Sequence, residues 1–176
     1  MTERIIIAGA GGQGIMLLGK VLAAAAMEED KFVTWLPSYG AEVRGGTAYC
    51  MLVISDAPIG SPYVDRADTL IIMNAPSLAR FGKRIEAKGL IILNSSLVPE
   101  CKMKHNRVIW CRFSDAAIQL GNVKVANMVA LGVYLKLKGI IKKSTVLKVM
   151  QEMAPPGSGE LVKINESAID EGESLI

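Results

Sequence analysis

Residues Ile5–Leu22 read IIIAGAGGQGIMLLGKVL, and the fold turns on how this stretch divides. Ile5 to Ala8 is short, apolar and rich in β-branched residues, which predicts a strand covered on both faces. Gly14 to Met27 is rich in leucine, alanine and methionine and has no proline, which predicts a helix. Between them, Gly9-Ala10-Gly11-Gly12-Gln13-Gly14 fits G-x-G-x-x-G in the strand–loop–helix setting that gives the motif weight. Glycine allows a tight turn and close backbone approach, and the helix that follows points free N–H groups at an anion. Gly9, Gly11, Gly12, Gln13 and Gly14 are therefore candidate anion-binding residues. The same glycines also suit close helix–sheet packing without a ligand, although packing does not call for Gln13.

Working outward, the chain alternates. Strands are predicted at Phe32–Leu36, Thr47–Ser55, Thr69–Met73, Gly89–Asn94 and Arg107–Phe113. Helices are predicted at Ser77–Ala87, at Asp115–Leu120 with Ser114 as cap, at Val125–Lys138, and at Lys143–Met153 capped by Ser144 or Thr145. Alternation of this kind predicts an α/β fold of Rossmann-like, three-layer form: a mostly parallel sheet with helices on both faces. No helix precedes Thr47–Ser55, which leaves the sheet open to being mixed there. Residues 1–154 read as one α/β domain. Residues 155–176 begin with the breaker Pro155-Pro156-Gly157-Ser158-Gly159 and read as a polar C-terminal tail. Val125 to Leu135 carries no charge, so that helix lies deep in the core or packs on another chain. Together with Gly14–Met27 it tilts the reading towards a partner interface, with self-association when the chain is isolated.

Composition narrows the class. The chain has 176 residues, 51% hydrophobic and 21% charged, which is globular. A net charge of +3 without a dense basic block, and 5% aromatic residues, argue against a nucleic-acid surface. Lys20 interrupts the most apolar long stretch, so no membrane span is expected. No signal-peptide pattern stands at the start, and Cys50, Cys101 and Cys111 are widely spaced. Both point to a cytoplasmic protein with reduced thiols.

A second constellation, Tyr39-Gly40-Ala41-Glu42-Val43-Arg44-Gly45-Gly46, follows the second strand and is expected at the same sheet edge as the first loop. Arg44 suits a phosphate or carboxylate, or else pairs with Glu42. Gly45 and Gly46 allow close approach. The chemistry of an enzyme is missing. His105 is the sole histidine and sits in a charged stretch, no cysteine cluster suits zinc or iron–sulfur, and no acid stands at the end of the second strand, Thr34-Trp35-Leu36-Pro37, to hold a dinucleotide ribose. No catalytic or metal-binding residue is assigned, and a free-standing nucleotide-binding dehydrogenase is the weaker alternative.

The pattern GAGGQGIMLLGKVLAAAA, then LPSYGAEVRGGTAYC, then SDAPIGSPYVDRADTLIIMN, resembles the gamma subunit of 2-oxoacid:ferredoxin oxidoreductases. PSYGAEVRGG is most similar to the 2-oxoglutarate branch, with the pyruvate, branched-chain 2-oxoacid and indolepyruvate branches as alternatives. The resemblance implies a non-catalytic subunit of a complex that decarboxylates a 2-oxoacid, reduces ferredoxin and forms an acyl-coenzyme A. It implies thiamine diphosphate, Mg²⁺ and iron–sulfur clusters on partner alpha, beta or delta subunits, and none in this chain. It also implies that Gly9, Gly11, Gly12, Gln13 and Gly14, facing Arg44, Gly45 and Gly46, contribute to a coenzyme A site.

Overall fold

The computed structural model describes residues 1–38, 47–99 and 107–176. The unbroken apolar run near the N-terminus is explained by strand β1, Thr2–Ala10. Successive side chains of a strand point to opposite faces. Ile5 and Ile7 accordingly enter one core cluster and Ile6 and Ala8 another. Helix α1, Ile15–Glu28, follows the glycine loop. Strands β2 (Phe32–Ser38), β3 (Thr47–Ser55) and β4 (Ala67–Ile72) come next, then helix α2 (Ala75–Phe81) and strands β5 (Ile85–Asn94) and β6 (Val108–Cys111). Helices α3 (Phe113–Gln119), α4 (Ala126–Lys138), α5 (Lys143–Met153) and α6 (Gly159–Ser174) complete the chain, with a 3₁₀ turn at Val123–Val125 leading into α4.

The six strands form one sheet in the order β2-β3-β1-β4-β5-β6. β1, β4, β5 and β6 run parallel, while β3 is antiparallel to both neighbours, so the sheet is mixed where a helix is lacking. Helices lie on both faces, unequally. One face carries α1, α3, α4, α5 and α6 over the larger cluster. The other carries α2, through Phe81 and Leu78, and the segment around Ile59 and Val64. The expected α/β architecture is therefore present. Among the described residues no helix is long and apolar enough to cross a membrane.

Several local expectations are corrected. β2 continues through Pro37, which an edge strand tolerates because the missing N–H costs no ladder bond there. The helix expected over Ser77–Ala87 ends at Phe81. It is capped by Asn74, whose Oδ1 accepts the Ser77 N–H, and the chain returns to strand at Ile85. Ser114 lies inside α3 and bonds Asn94 instead of capping. α5 starts after Lys142 with no side-chain cap from Ser144 or Thr145.

Two corrections concern the uncharged helix and the polar tail, and they are linked. Every residue from Ala126 to Leu135 is buried within this one chain, so α4 needs no partner to hide it. Its cover is α6, the segment expected to be a polar tail. α6 buries Ala168, Ile169 and Gly172, a narrow stripe that its many charges disguise. The two helices touch backbone to backbone: a Cβ on Gly132 would strike the Ile169 carbonyl, and one on Gly172 the Val129 carbonyl. Lys143, at the start of α5, reaches Asp170 and, at 2.7 Å, Glu173, which ties α6 down at its far end.

At the N-terminal end of β1, Glu3 is buried. It accepts a hydrogen bond from Thr69 Oγ1 at 2.6 Å and pairs with Lys138 Nζ at 2.8 Å. Burial, with Glu3 adding to it, pushes the neighbouring Tyr134 phenol well above its usual range.

Overpacking a backbone contact costs about 1–3 kcal/mol or more. Gly172→Val should therefore lower the melting temperature by roughly 6–12 °C, at about 3 kcal/mol in a chain of this size. A dispensable tail would leave thermal unfolding unchanged. Lys138→Ala strands a buried carboxylate and should cost about 2–3 kcal/mol in urea unfolding. Lys148→Ala breaks an exposed, solvent-screened pair with Glu28 and should leave the urea unfolding midpoint unchanged.

Candidate functional site

The parallel strands end at one sheet edge, and ligands of open α/β sheets bind outside such an edge. Gly9–Gly14 leaves β1 there, Met73 and Asn74 follow β4, Ser95 and Ser96 follow β5, and Arg112 follows β6. The end of β2 lies at the same edge, because Ser38 and Ala8 both sit opposite Tyr49 of β3. β3 begins at Thr47, opposite Ala10. The flanks of Tyr39–Gly46 therefore stand beside the glycine loop. Arg44, Gly45 and Gly46 themselves lie outside the described residues, as does His105.

The loop is held by Gln13. Its Oε1 accepts the Ala10 N–H at 2.7 Å, its backbone N–H donates to the Ala10 carbonyl at 3.2 Å, and its Nε2 lies 3.5 Å from the Met73 carbonyl. Gly9 is required by this packing. A Cβ there would sit 2.6 Å from Gln13 Oε1 and 2.9 Å from Met73 Cβ. Gly14 is required twice over: it takes left-handed backbone (φ 69°), and a Cβ would run into the Asn127 amide. That amide donates to the Gly14 carbonyl at 3.1 Å and anchors the loop to α4.

Gly11 and Gly12 are different. Neither would bring a Cβ within 4 Å of any other described group, and both are exposed. Gly12 needs glycine for its positive φ of 88°, but Gly11 has no positive φ to explain it. The first turn of α1 carries no acidic residue, so its positive dipole end is uncompensated. The glycines thus divide into two that packing demands and two that leave backbone open.

Beside the loop, on the β4 side, lies a cavity of about 140 Å³ whose lining includes Gly12, Gln13, Met73, Leu97, Val123 and Lys124. Two of its lining residues, Met73 and Ser114, are held by buried Asn94, which ends β5. Asn94 Nδ2 donates to the Met73 carbonyl at 3.2 Å and to Ser114 Oγ at 2.9 Å. Its Oδ1 accepts the Ser96 N–H at 3.3 Å and the Ser114 N–H at 3.4 Å. This one side chain joins the ends of β4, β5 and α3. Lys124 is exposed and forms no ion pair among the described residues.

The sequence reading missed Asn94, Lys124 and Asn127. A polar residue closing an apolar strand, as in Leu93-Asn94-Ser95-Ser96, is a usable signal for the first. Lys124 and Asn127 carry no such signal, because their role depends on where α4 packs.

The arrangement suits binding of an anion and of an adjoining, largely apolar group. Burial pushes the Cys50 thiol up to about 12 and raises that of Cys111, so neither is a thiolate at neutral pH. Among the described residues no three His, Cys, Asp or Glu side chains gather as metal ligands do.

The family model for pyruvate ferredoxin/flavodoxin oxidoreductase matches residues 4–175. Ketoisovalerate oxidoreductase subunit VorA of Methanothermobacter marburgensis is 38% identical over 134 residues, which cover 76% of this chain but 28% of that protein. The chain thus spans little more than a quarter of the VorA relatives. 2-Oxoglutarate synthase subunit KorC of Methanocaldococcus jannaschii is 33% identical over 164 residues, covering 91% of this chain and 88% of that one. The crystal structure of the keto/oxoacid ferredoxin oxidoreductase gamma subunit from Geobacter sulfurreducens superposes with a TM-score of 0.86 at 26% identity, covering 99% of this chain and 96% of that chain. Matched over residues 4–175 in sequence and similar in fold to a gamma subunit of the same kind of enzyme, the chain belongs to the pyruvate ferredoxin/flavodoxin oxidoreductase family.

Proposed function

We propose that this chain is the non-catalytic gamma subunit of a 2-oxoacid:ferredoxin oxidoreductase and that its glycine loop holds coenzyme A. The observation that carries the coenzyme A reading is the open backbone at Gly11 and Gly12, ahead of a helix start with no acid. Coenzyme A contributes a thiol that takes up an acyl group. The task of this chain is to hold the anionic part of that molecule with Gly11, Gly12 and the α1 N-terminus. Gln13, Gly9 and Gly14 keep the loop rigid. Lys124, and Arg44 with Gly45 and Gly46 from the neighbouring loop, add fixed charge and close approach. Thiamine diphosphate, Mg²⁺ and iron–sulfur clusters belong to alpha and beta subunits, with a delta subunit where one exists, and ferredoxin takes the electrons.

The 2-oxoacid is 2-oxoglutarate on the KorC likeness, which spans nearly the whole of both chains. The VorA likeness, shorter but higher in identity, favours a branched-chain 2-oxoacid as the second reading. Co-expression with thiamine-binding and cluster-bearing partner chains tests both. The expected result is a stable complex that reduces ferredoxin only when a 2-oxoacid and coenzyme A are present, while this chain alone is inactive. The ratio of kcat/KM for 2-oxoglutarate and for 3-methyl-2-oxobutanoate assigns the branch. Ferredoxin reduction by the gamma chain alone would overturn the proposal.

Gly11→Val should leave folding unchanged, since its side chain meets no described neighbour, yet raise the coenzyme A KM of the assembled complex. Arg44→Ala, removing one charge-assisted phosphate contact, should raise that KM about 10- to 150-fold. In both variants the 2-oxoacid KM should stay within about twofold of wild type, a change of less than about 0.5 kcal/mol. A loss of assembly on native-size chromatography would instead assign these residues to a subunit contact.

A further inference from the structure

Helices cover the two faces of the sheet unequally, and the thinner face presents a surface that the fold does not cover. On that face α2 packs over β1 and β4. Farther along, at the β2 edge, Leu36 stands opposite Met51 and Phe32 opposite Ser55. Directly opposed residues share a face, so both lie on the side where Met51, Val53 and Tyr49 meet α2. Phe32 is 48% exposed there and Leu36 37% exposed.

Beside these residues runs a ladder of alternating rings and guanidinium groups. The Arg80 guanidinium carbon lies 5.0 Å from the centroid of the Tyr49 ring and 5.2 Å from that of Phe81. That of Arg84 lies 5.8 Å from Phe81 and 5.3 Å from Tyr63, which is 58% exposed. The Tyr49 and Phe81 rings are themselves 4.8 Å apart. A guanidinium at such distances is attracted to the ring face and keeps its charge, so both groups are held in place while charged.

Their donors are unequally spent. Arg84 Nε donates to the Asp65 carbonyl at 2.9 Å, and its Nη2 to the Val64 carbonyl. Arg80 and Lys83 are exposed, and among the described residues neither makes a hydrogen bond or an ion pair. Residues 57–84 hold four basic side chains, Arg66, Arg80, Lys83 and Arg84, against two acids, Asp65 and Asp68. Asp68 is already taken by Arg4 at 2.9 Å, so the excess of positive charge is not answered locally. Resting on the gamma-subunit reading above, we infer that this face docks on a partner subunit that presents carboxylates to Arg80 and Lys83. A guanidinium already stacked on rings meets a carboxylate through two parallel N–H···O bonds and loses little further freedom in doing so. Phe32, Leu36 and Tyr63 supply apolar area beside the charges, and aromatic residues with arginine are the side chains enriched in protein interfaces.

Dilution of the co-expressed complex tests this, with the fraction of this chain still bound read by mass photometry at low and at high NaCl. Arg80→Glu should raise the apparent Kd about 30-fold, the worth of one central interface residue, and flatten its salt dependence, because the attraction that salt screens is gone. Lys83→Glu, at an exposed position without a hydrogen bond or ion pair among the described residues, should act in the same direction and guards against a folding defect in the first variant. Lys163→Glu makes the same charge change on α6, over the opposite face, and should leave the Kd within about twofold of wild type. Wild-type assembly in both Arg80→Glu and Lys83→Glu would overturn the inference. So would equal weakening in all three variants, which would be an effect of net charge. An intact complex whose KM for the electron acceptor rises would give the surface to a diffusing acidic protein and overturn it as well. If the wild-type chain assembles with no partner chain, the gamma-subunit reading itself fails.

Discussion

The hydrogen bond from the Asn127 amide to the Gly14 carbonyl, 3.1 Å long and spanning 113 residues of chain, is the contact on which the site depends. Gly14 has to be left-handed to turn the chain into α1, and it has to lack a Cβ because Asn127 occupies that space. The bond thus couples a backbone conformation open to glycine to the placement of a helix from the far end of the sequence. Once α4 is seated, Ala126 and Lys124 complete the cavity beside the loop. The conformation of the glycine loop and the cavity beside it both depend on where α4 lies.

What seats α4 is burial. Its first ten residues are inside the protein, between the sheet and α6, and Gly132 and Gly172 let the two helices approach to backbone contact. Close approach gathers dispersion contacts along both helices, and it makes the pair intolerant of added volume. Glu3 and Lys138 pin the opposite end of α4 to β1 and β4 with a largely buried pair. Stability and site geometry therefore share a support: a change that loosens α6 loosens α4, and through Asn127 it loosens the loop.

The polar groups beside the glycine loop are amides, hydroxyls, open backbone and one exposed lysine. Positioning rewards rigidity, and the bonds of Gln13 and Asn94 supply it by tying the ends of β1, β4, β5 and α3 into one network.

The fold class and the strand–glycine loop–helix arrangement were legible in local sequence because both follow from local physics. An apolar run beside glycines has few conformations open to it, and Phe32–Leu36, Thr47–Ser55 and Lys143–Met153 have the periods and breakers of their elements. Pro37, Ser77–Ala87 and Ser114 misled because edge placement, an Asn74 cap and a buried Asn94 partner outweighed local preference. By itself the sequence determined an α/β chain with a glycine loop between strand and helix. The tertiary structure alone decided that a polar-looking C-terminal segment is a helix over α4, that Gly9 and Gly14 serve packing while Gly11 and Gly12 stay open, and that Asn94, Lys124 and Asn127 stand beside them. The reason is physical. Which face of a helix is buried, and whether a missing Cβ leaves space or fills a contact, depends on atoms distant in the chain, and no local pattern encodes where those atoms come to rest.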